Sequence, residues 1–140
     1  MTGGQCSGDP TTDEGDACNK CTMENCIPST DGCDVQRLRT DANLQACRNL
    51  YCCIRANQCI TAPDNDPQRC WCGTAADDPC HVGTMPANGP CAKEYAAAAE
   101  TTDPALIFQR FVDPHYAVGS ADNLSICRAT FCSDVCKIVR

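Results

Sequence analysis

Between Cys47 and Cys72 the chain reads CRNLYCCIRANQCITAPDNDPQRCWC, six cysteines in 26 residues, with the adjacent pair Cys52-Cys53 and the tight Cys70-Trp-Cys72. No other feature restricts the fold so strongly. Half of the stretch has helical periodicity and half is turn-forming, and the rest of the chain is expected to be stapled to it. Sixteen of the 140 residues are cysteine, a density that marks disulfide scaffolds. Cysteines at this density persist where they are oxidised or metal-bound, and oxidising compartments are extracytoplasmic. Only 5% of the chain is aromatic, so bridges are expected to take over part of the work of an apolar core. The even count permits complete pairing among Cys6, Cys18, Cys21, Cys26, Cys33, Cys47, Cys52, Cys53, Cys59, Cys70, Cys72, Cys80, Cys91, Cys127, Cys132 and Cys136. Spacing leaves the connectivity open.

Residues 1–16, MTGGQCSGDPTTDEGD, hold almost nothing apolar and read as a flexible acidic leader before a disulfide-rich helical domain over 17–140. Met1-Thr-Gly-Gly-Gln has neither the charged nor the apolar region of a signal peptide, so an exported form is expected to be a processed one. Cys6-Ser-Gly-Asp looks like the start of a mature bacterial lipoprotein and makes Cys6 a lipidation candidate, against which Gln5 is bulky for the cleavage site.

From Asp16, an expected cap, Cys18, Cys21 and Cys26 lie near one helical face until Pro28 and a Ser-Thr-Asp-Gly run break the pattern. A second helix is expected from about 42 to 56, capped by Asp41, with Leu44, Cys47, Tyr51 and Ile54 as its stripe. Cys47 and Cys52 are about 140° apart around that helix, so it should be clamped from two sides. Turn formers dominate up to Pro90, after which CAKEYAAAAE favours helix. Thr102-Asp103-Pro104 is a helix start. The apolar run Ala105–Val112 that follows reads as the hydrophobic plug, and Leu106, Ile107, Phe108 and Phe111 are its core or apolar-ligand candidates. The last helix is expected from about 122 to 138, with Leu124, Cys127, Phe131, Val135 and Ile138 on one face and Cys132 and Cys136 on another, gripped from both sides. Cys47-Arg-x-x-Tyr-Cys52 and Cys127-Arg-x-x-Phe-Cys132 share a pattern, read slightly more readily as helix spacing than as a duplicated clamp.

The formal charge of −7 without a basic run argues against a nucleic-acid partner, whose phosphates need Lys and Arg. No apolar run is long enough to span a membrane. Cys18-x2-Cys21 is half of a zinc pair with no second half, and His81 and His115 are not at finger spacing. Disulfides are therefore the better reading, and no metal site is expected. Cys80-His81 supplies only the end of a haem motif, and Asp64-Asn-Asp66 lacks the Gly and Glu of a calcium loop. No serine stands in a nucleophile elbow, and no cofactor motif is present.

Cys52-Cys-Ile-Arg-Ala-Asn-Gln-Cys59 and Cys70-Trp-Cys-Gly73 resemble the cysteine spacing of secreted phospholipase A2. Ala56, however, stands at the catalytic His of that family and Asn57 at its calcium-binding Asp, so the general base is missing. The order Cys33, Cys47, Cys52-Cys53, Cys70-x-Cys72, Cys80, Cys91 is similar to that of plant eight-cysteine proteins, the lipid-transfer and seed-albumin group. That resemblance implies a lipid-sized cavity between stapled helices. The acidic leader, Cys70-Trp-Cys-Gly-Thr74, Gly89-Pro-Cys91, the Asp103-Pro helix and Cys127…Cys132…Cys136 resemble Cys-rich secreted proteins and lipoproteins of the myxobacterial type. This likeness implies an extracytoplasmic location and says nothing of activity.

The expectation is a mainly α-helical, disulfide-stapled domain of four or five short helices with long irregular loops, secreted or at the cell surface. Its expected role is non-catalytic: structural, or binding a protein or a cell-surface or matrix partner, with self-assembly included. The alternatives are an apolar-ligand carrier and a metal-binding thiol protein.

Overall fold

A computed structural model describes residues 6, 15–26, 32–34, 38–61 and 66–137. Most of the leader, the expected break at Pro28, the start of the Asp64-Asn-Asp66 run and Ile138 lie outside the described residues. Among the described residues there are eight helices and no strand: α1 (Asp16–Asn25), α2 (Asp41–Asn57), α3 (Gln68–Trp71), α4 (Asp77–Val82), α5 (Ala92–Ala99), α6 (Pro104–Arg110), α7 (Ala117–Phe131) and α8 (Ser133–Cys136). The mainly α class holds. The count exceeds four or five because α3, α4 and α8 are one-turn or two-turn pieces whose bounds are cut by prolines and bridges.

Thr40 rather than Asp41 caps α2, its hydroxyl accepting from the Asn43 amide at 3.1 Å. Gly15 precedes α1, so Asp16 is the first helical residue and makes no cap bond of its own. For α6 the start signal is realised as expected: Asp103 accepts from the Ala105 amide at 3.0 Å and Pro104 takes the first helical position.

All sixteen sulfurs form eight disulfides: 6–52, 18–136, 21–132, 26–127, 33–47, 53–91, 59–70 and 72–80. Two corrections follow. The 47–72 stretch does not hold everything, because the three bridges of Cys18, Cys21 and Cys26 bypass it. Those three run antiparallel from α1 to Cys136, Cys132 and Cys127, so the C-terminal helix is gripped by disulfides on its α1 side alone. Its other sides are held by packing. Cys47 and Cys52 of α2, by contrast, do reach different partners, Cys33 and Cys6. The two Cys-Arg-x-x-aromatic-Cys segments are therefore bridged differently, as helix spacing alone allows.

α7 is the central element, packed against α1, α2 and α5. It begins at Ala117, not 122, and breaks at Cys132 before α8. Its first turns, Ala-Val-Gly-Ser-Ala-Asp, are buried on nearly all sides, and an all-round buried helix of small residues shows no apolar stripe to detect. Gly119 is required there, since a Cβ would sit 1.9 Å from the Asp113 carbonyl oxygen. Phe131 and Val135, expected on one face with Leu124 and Cys127, are exposed instead: Phe131 ends α7 and Val135 lies beyond the break at Cys132.

The segment after Cys59 is not irregular throughout. Cys91 and Gly89 donate to the carbonyls of Cys70 and Trp71 at 3.0 and 2.8 Å, lashing the 88–91 segment along 70–72. Gly89 leaves no room for a Cβ, which would meet Cys70 O at 2.3 Å. Trp71 is thereby placed in the core beside Tyr95 and Phe111, with ring centroids 6.5 and 5.4 Å away.

Candidate functional site

Chemistry needs polar groups held where a ligand can reach them, and two open clefts supply such groups. The larger, about 740 Å³, lies between α2 and α5. One wall is the face of α2 that carries Gln45, Arg48, Asn49 and Cys52, spaced three or four residues apart and so neighbours on the helix surface. The other wall is Lys93 and Glu94 at the start of α5. Two disulfides fix these walls. Cys53–Cys91 pins the entry of α5 to α2, and Cys6–Cys52 brings Cys6 to the rim. Gln45 donates to Asn49 Oδ1 at 2.8 Å, leaving the Asn49 amide group and the Gln45 carbonyl for other partners. Arg48 is half-buried, and its Nε is shut off from solvent with no hydrogen-bond partner. Leaving a buried donor unmade costs about 1–3 kcal/mol.

A smaller cleft, about 410 Å³, is lined by Arg39, Thr40, Asn43, Glu100, His115 and Tyr116, with Leu38 beneath. Asp113 Oδ1 accepts from both the backbone N–H and the ring Nδ1 of His115, each at 3.0 Å. The backbone bond chiefly, aided by the ring, holds the Asp113 carboxyl below its usual range. A carboxylate on Nδ1 orients an imidazole as in a base couple. Here the imidazole side chain is 74% exposed, and water screens the pair. Among the lining hydroxyls, that of Thr40 already serves as the α2 cap. Arg110 stacks over the Tyr116 ring at 4.5 Å and donates to Ala99 O at 2.7 Å, bracing α6 against this wall.

No family model, curated protein or solved structure matches this chain.

The expected apolar site is divided by the fold. Ile107 and Phe111 are buried, Leu106 is half-buried and Phe108 is 44% exposed, stacked on His81 at 3.7 Å. Neither cleft is lined by any of the four. The run is therefore not the sole plug. It contributes two side chains to a core whose largest members are Trp71, Tyr51 and Tyr95. His81 contacts Gln68 and stacks near Trp71, so it belongs to this packing. Ala56 and Asn57 are exposed at the end of α2, where the Asn57 amide donates to Cys53 O at 2.8 Å. Cys6 is bridged, and a sulfur in a disulfide cannot also carry the thioether of a lipid anchor. The lipidation expectation is replaced by that bridge. The metal-binding thiol alternative likewise has no thiolate left to offer.

One buried polar pair escaped the sequence reading. Asp122, fully buried in α7, accepts from the Tyr95 hydroxyl at 2.6 Å, while its Oδ2 has no partner. Burial, opposed by the Tyr95 hydrogen bond, pushes the Asp122 carboxyl well above its usual range. Burial foremost, then the Asp122 charge, raises the Tyr95 hydroxyl as well. Nothing in the local sequence distinguishes Asp122 from the helix-start residue it resembles. Arg48, in contrast, was visible within the Cys-Arg-x-x-aromatic-Cys pattern, where spacing explained the cysteines and left the arginine without a role.

Proposed function

We propose that the protein is a non-catalytic extracytoplasmic binding module that presents rigid polar surfaces to a protein, cell-surface or matrix partner. The observation that carries this reading is the distribution of the bridges. Of the eight described helices, all but α6 contain or are capped by a bridged cysteine. A body clamped in this way loses little conformational freedom on binding, which is the general advantage of preorganisation. Eight intramolecular disulfides also fit an oxidising, extracytoplasmic environment. The resemblance to Cys-rich secreted proteins of the myxobacterial type supports the same location. An apolar-ligand carrier gains nothing from the geometry of Leu106, Ile107, Phe108 and Phe111, which surround neither cleft.

The test is co-sedimentation of the purified, oxidised protein with the insoluble cell-surface fraction of its source, alongside turnover assays on ester and peptide substrates. Saturable retention without turnover is expected. Turnover that disappears on His81→Ala or His115→Ala overturns the non-catalytic reading.

A further inference from the structure

We propose that the α2–α5 cleft binds a sugar acid, its carboxylate held by Arg48 and Lys93 and its hydroxyls by Glu94, Gln45 and Asn49. The inference rests on the binding-module reading and names the ligand class of its larger cleft.

Arg48 sets the argument. Its guanidinium forms no hydrogen bond or ion pair with a described residue, and it lines an open cleft with a second cation, Lys93. A guanidinium in that condition is matched by a planar two-oxygen anion, which takes two parallel N–H bonds at once. Sulfate, phosphate and carboxylate all offer oxygens, and two features choose among them. The chain as a whole carries −7, which repels polyanions at long range. Glu94 stands in the wall beside Lys93, so a dianion would face a like charge at close quarters. A monoanionic carboxylate meets neither objection to the same degree. The remaining polar groups then fit hydroxyls. Glu94 and the Gln45 carbonyl accept from them, and the Asn49 amide donates. Alanines 42, 46 and 97 line the rest of the cleft and leave it unobstructed. A volume of about 740 Å³ falls within the usual range for small-ligand sites and admits more than one ring. Because Cys53–Cys91 and Cys6–Cys52 fix both walls, the site is formed before the ligand arrives.

The experiment is calorimetric and NMR titration of the oxidised protein with galacturonic acid, a trisaccharide of one uronic acid on two neutral sugars, the methyl ester of that trisaccharide, a neutral galactose trimer and inorganic phosphate. The acidic trisaccharide is expected to bind and shift amides of α2 and α5. The methyl ester, which keeps the shape and loses the charge, is expected to bind roughly tenfold more weakly or worse. Arg48→Gln should produce a similar loss and Lys93→Gln a smaller one, while Lys20→Gln on α1, where Lys20 pairs with Glu24, should change nothing. Monomer and acidic trisaccharide binding equally well would assign the site to a free acid, and a tighter trisaccharide to a polysaccharide; both support the inference. Equal binding of the ester or of the neutral trimer overturns it, as does phosphate competing on equal terms. Should Arg48→Gln fail to fold, the ester comparison still decides, since it leaves the protein untouched. If no sugar acid binds, this inference falls, while retention on the cell-surface fraction judges the binding module separately.

Discussion

Along α1 and α7–α8 three bridges stand in a row, and the large apolar side chains Met23, Phe131 and Val135 are exposed. Around α6, the one described helix without a bridged cysteine, the rings of Trp71, Tyr95, Phe108 and Phe111 and the imidazole of His81 pack in a chain of contacts between 3.7 and 6.5 Å. The first region draws more on removing entropy from the unfolded chain, the second more on burying aromatic surface. The difference shows how a chain with few aromatics is stabilised. It gathers four of its seven aromatics at one place and lets sulfur hold much of the rest, because a few rings cannot cover every helix.

The largest effect expected is from full reduction. Each bridge is worth about 2–4 kcal/mol, and those of the α1 ladder span 101 to 118 residues, where the entropic gain is greatest. Circular dichroism under strong reductant should show loss of helix throughout. An unchanged melting curve would mean that packing alone suffices and would dissolve the contrast between the regions.

Next comes the aromatic side. Phe111→Ala removes a buried ring in contact with Trp71, Tyr95 and Phe108 and should cost about 3–5 kcal/mol. Phe108→Ala, at 44% exposed, should cost only about 1 kcal/mol. Denaturant midpoints compare the two, and equal costs would show that the stack rather than burial carries the stability.

The middle rung of the ladder sharpens the comparison. With Cys18–Cys136 and Cys26–Cys127 intact, replacing Cys21 and Cys132 by alanine reopens a loop of only roughly 17 residues. The expected cost is then about 3 kcal/mol, not the roughly 5 kcal/mol of an isolated bridge of that span. A loss at the larger value would mean that the rungs act independently.

The smallest effect is a pH slope from Asp122. Its folded carboxyl titrates above the unfolded value of about 3.9. The group's stabilising contribution is therefore fully present below that value and is lost as pH rises through the folded pKa. Melting temperature should rise modestly on acidification from neutral toward pH ~4.5, before lowered carboxyls such as Asp113 begin to oppose it. Asp122→Asn, which stays neutral and can still accept from Tyr95, should flatten that slope. A slope unchanged in the variant would place its origin elsewhere.

Local chemistry by itself determined the class of fold, the full oxidation of the cysteines and the start of α6, while the starts of α2 and α7 fall elsewhere than Asp41 and Asp122. Asp103-Pro104 caps α6 because an Asp side chain and a fixed proline φ act within one turn, and Cys18, Cys21 and Cys26 share a face by helical period alone. The tertiary structure decided the partners. Bridged Cα atoms here lie 4.8 to 5.9 Å apart, a distance set by which helices run side by side and in what register, and no spacing along the chain contains that register. It decided the buried polar pair too. Asp122 gains its meaning from Tyr95, 27 positions away, so it is ordinary in sequence and becomes distinctive only where another helix removes its water.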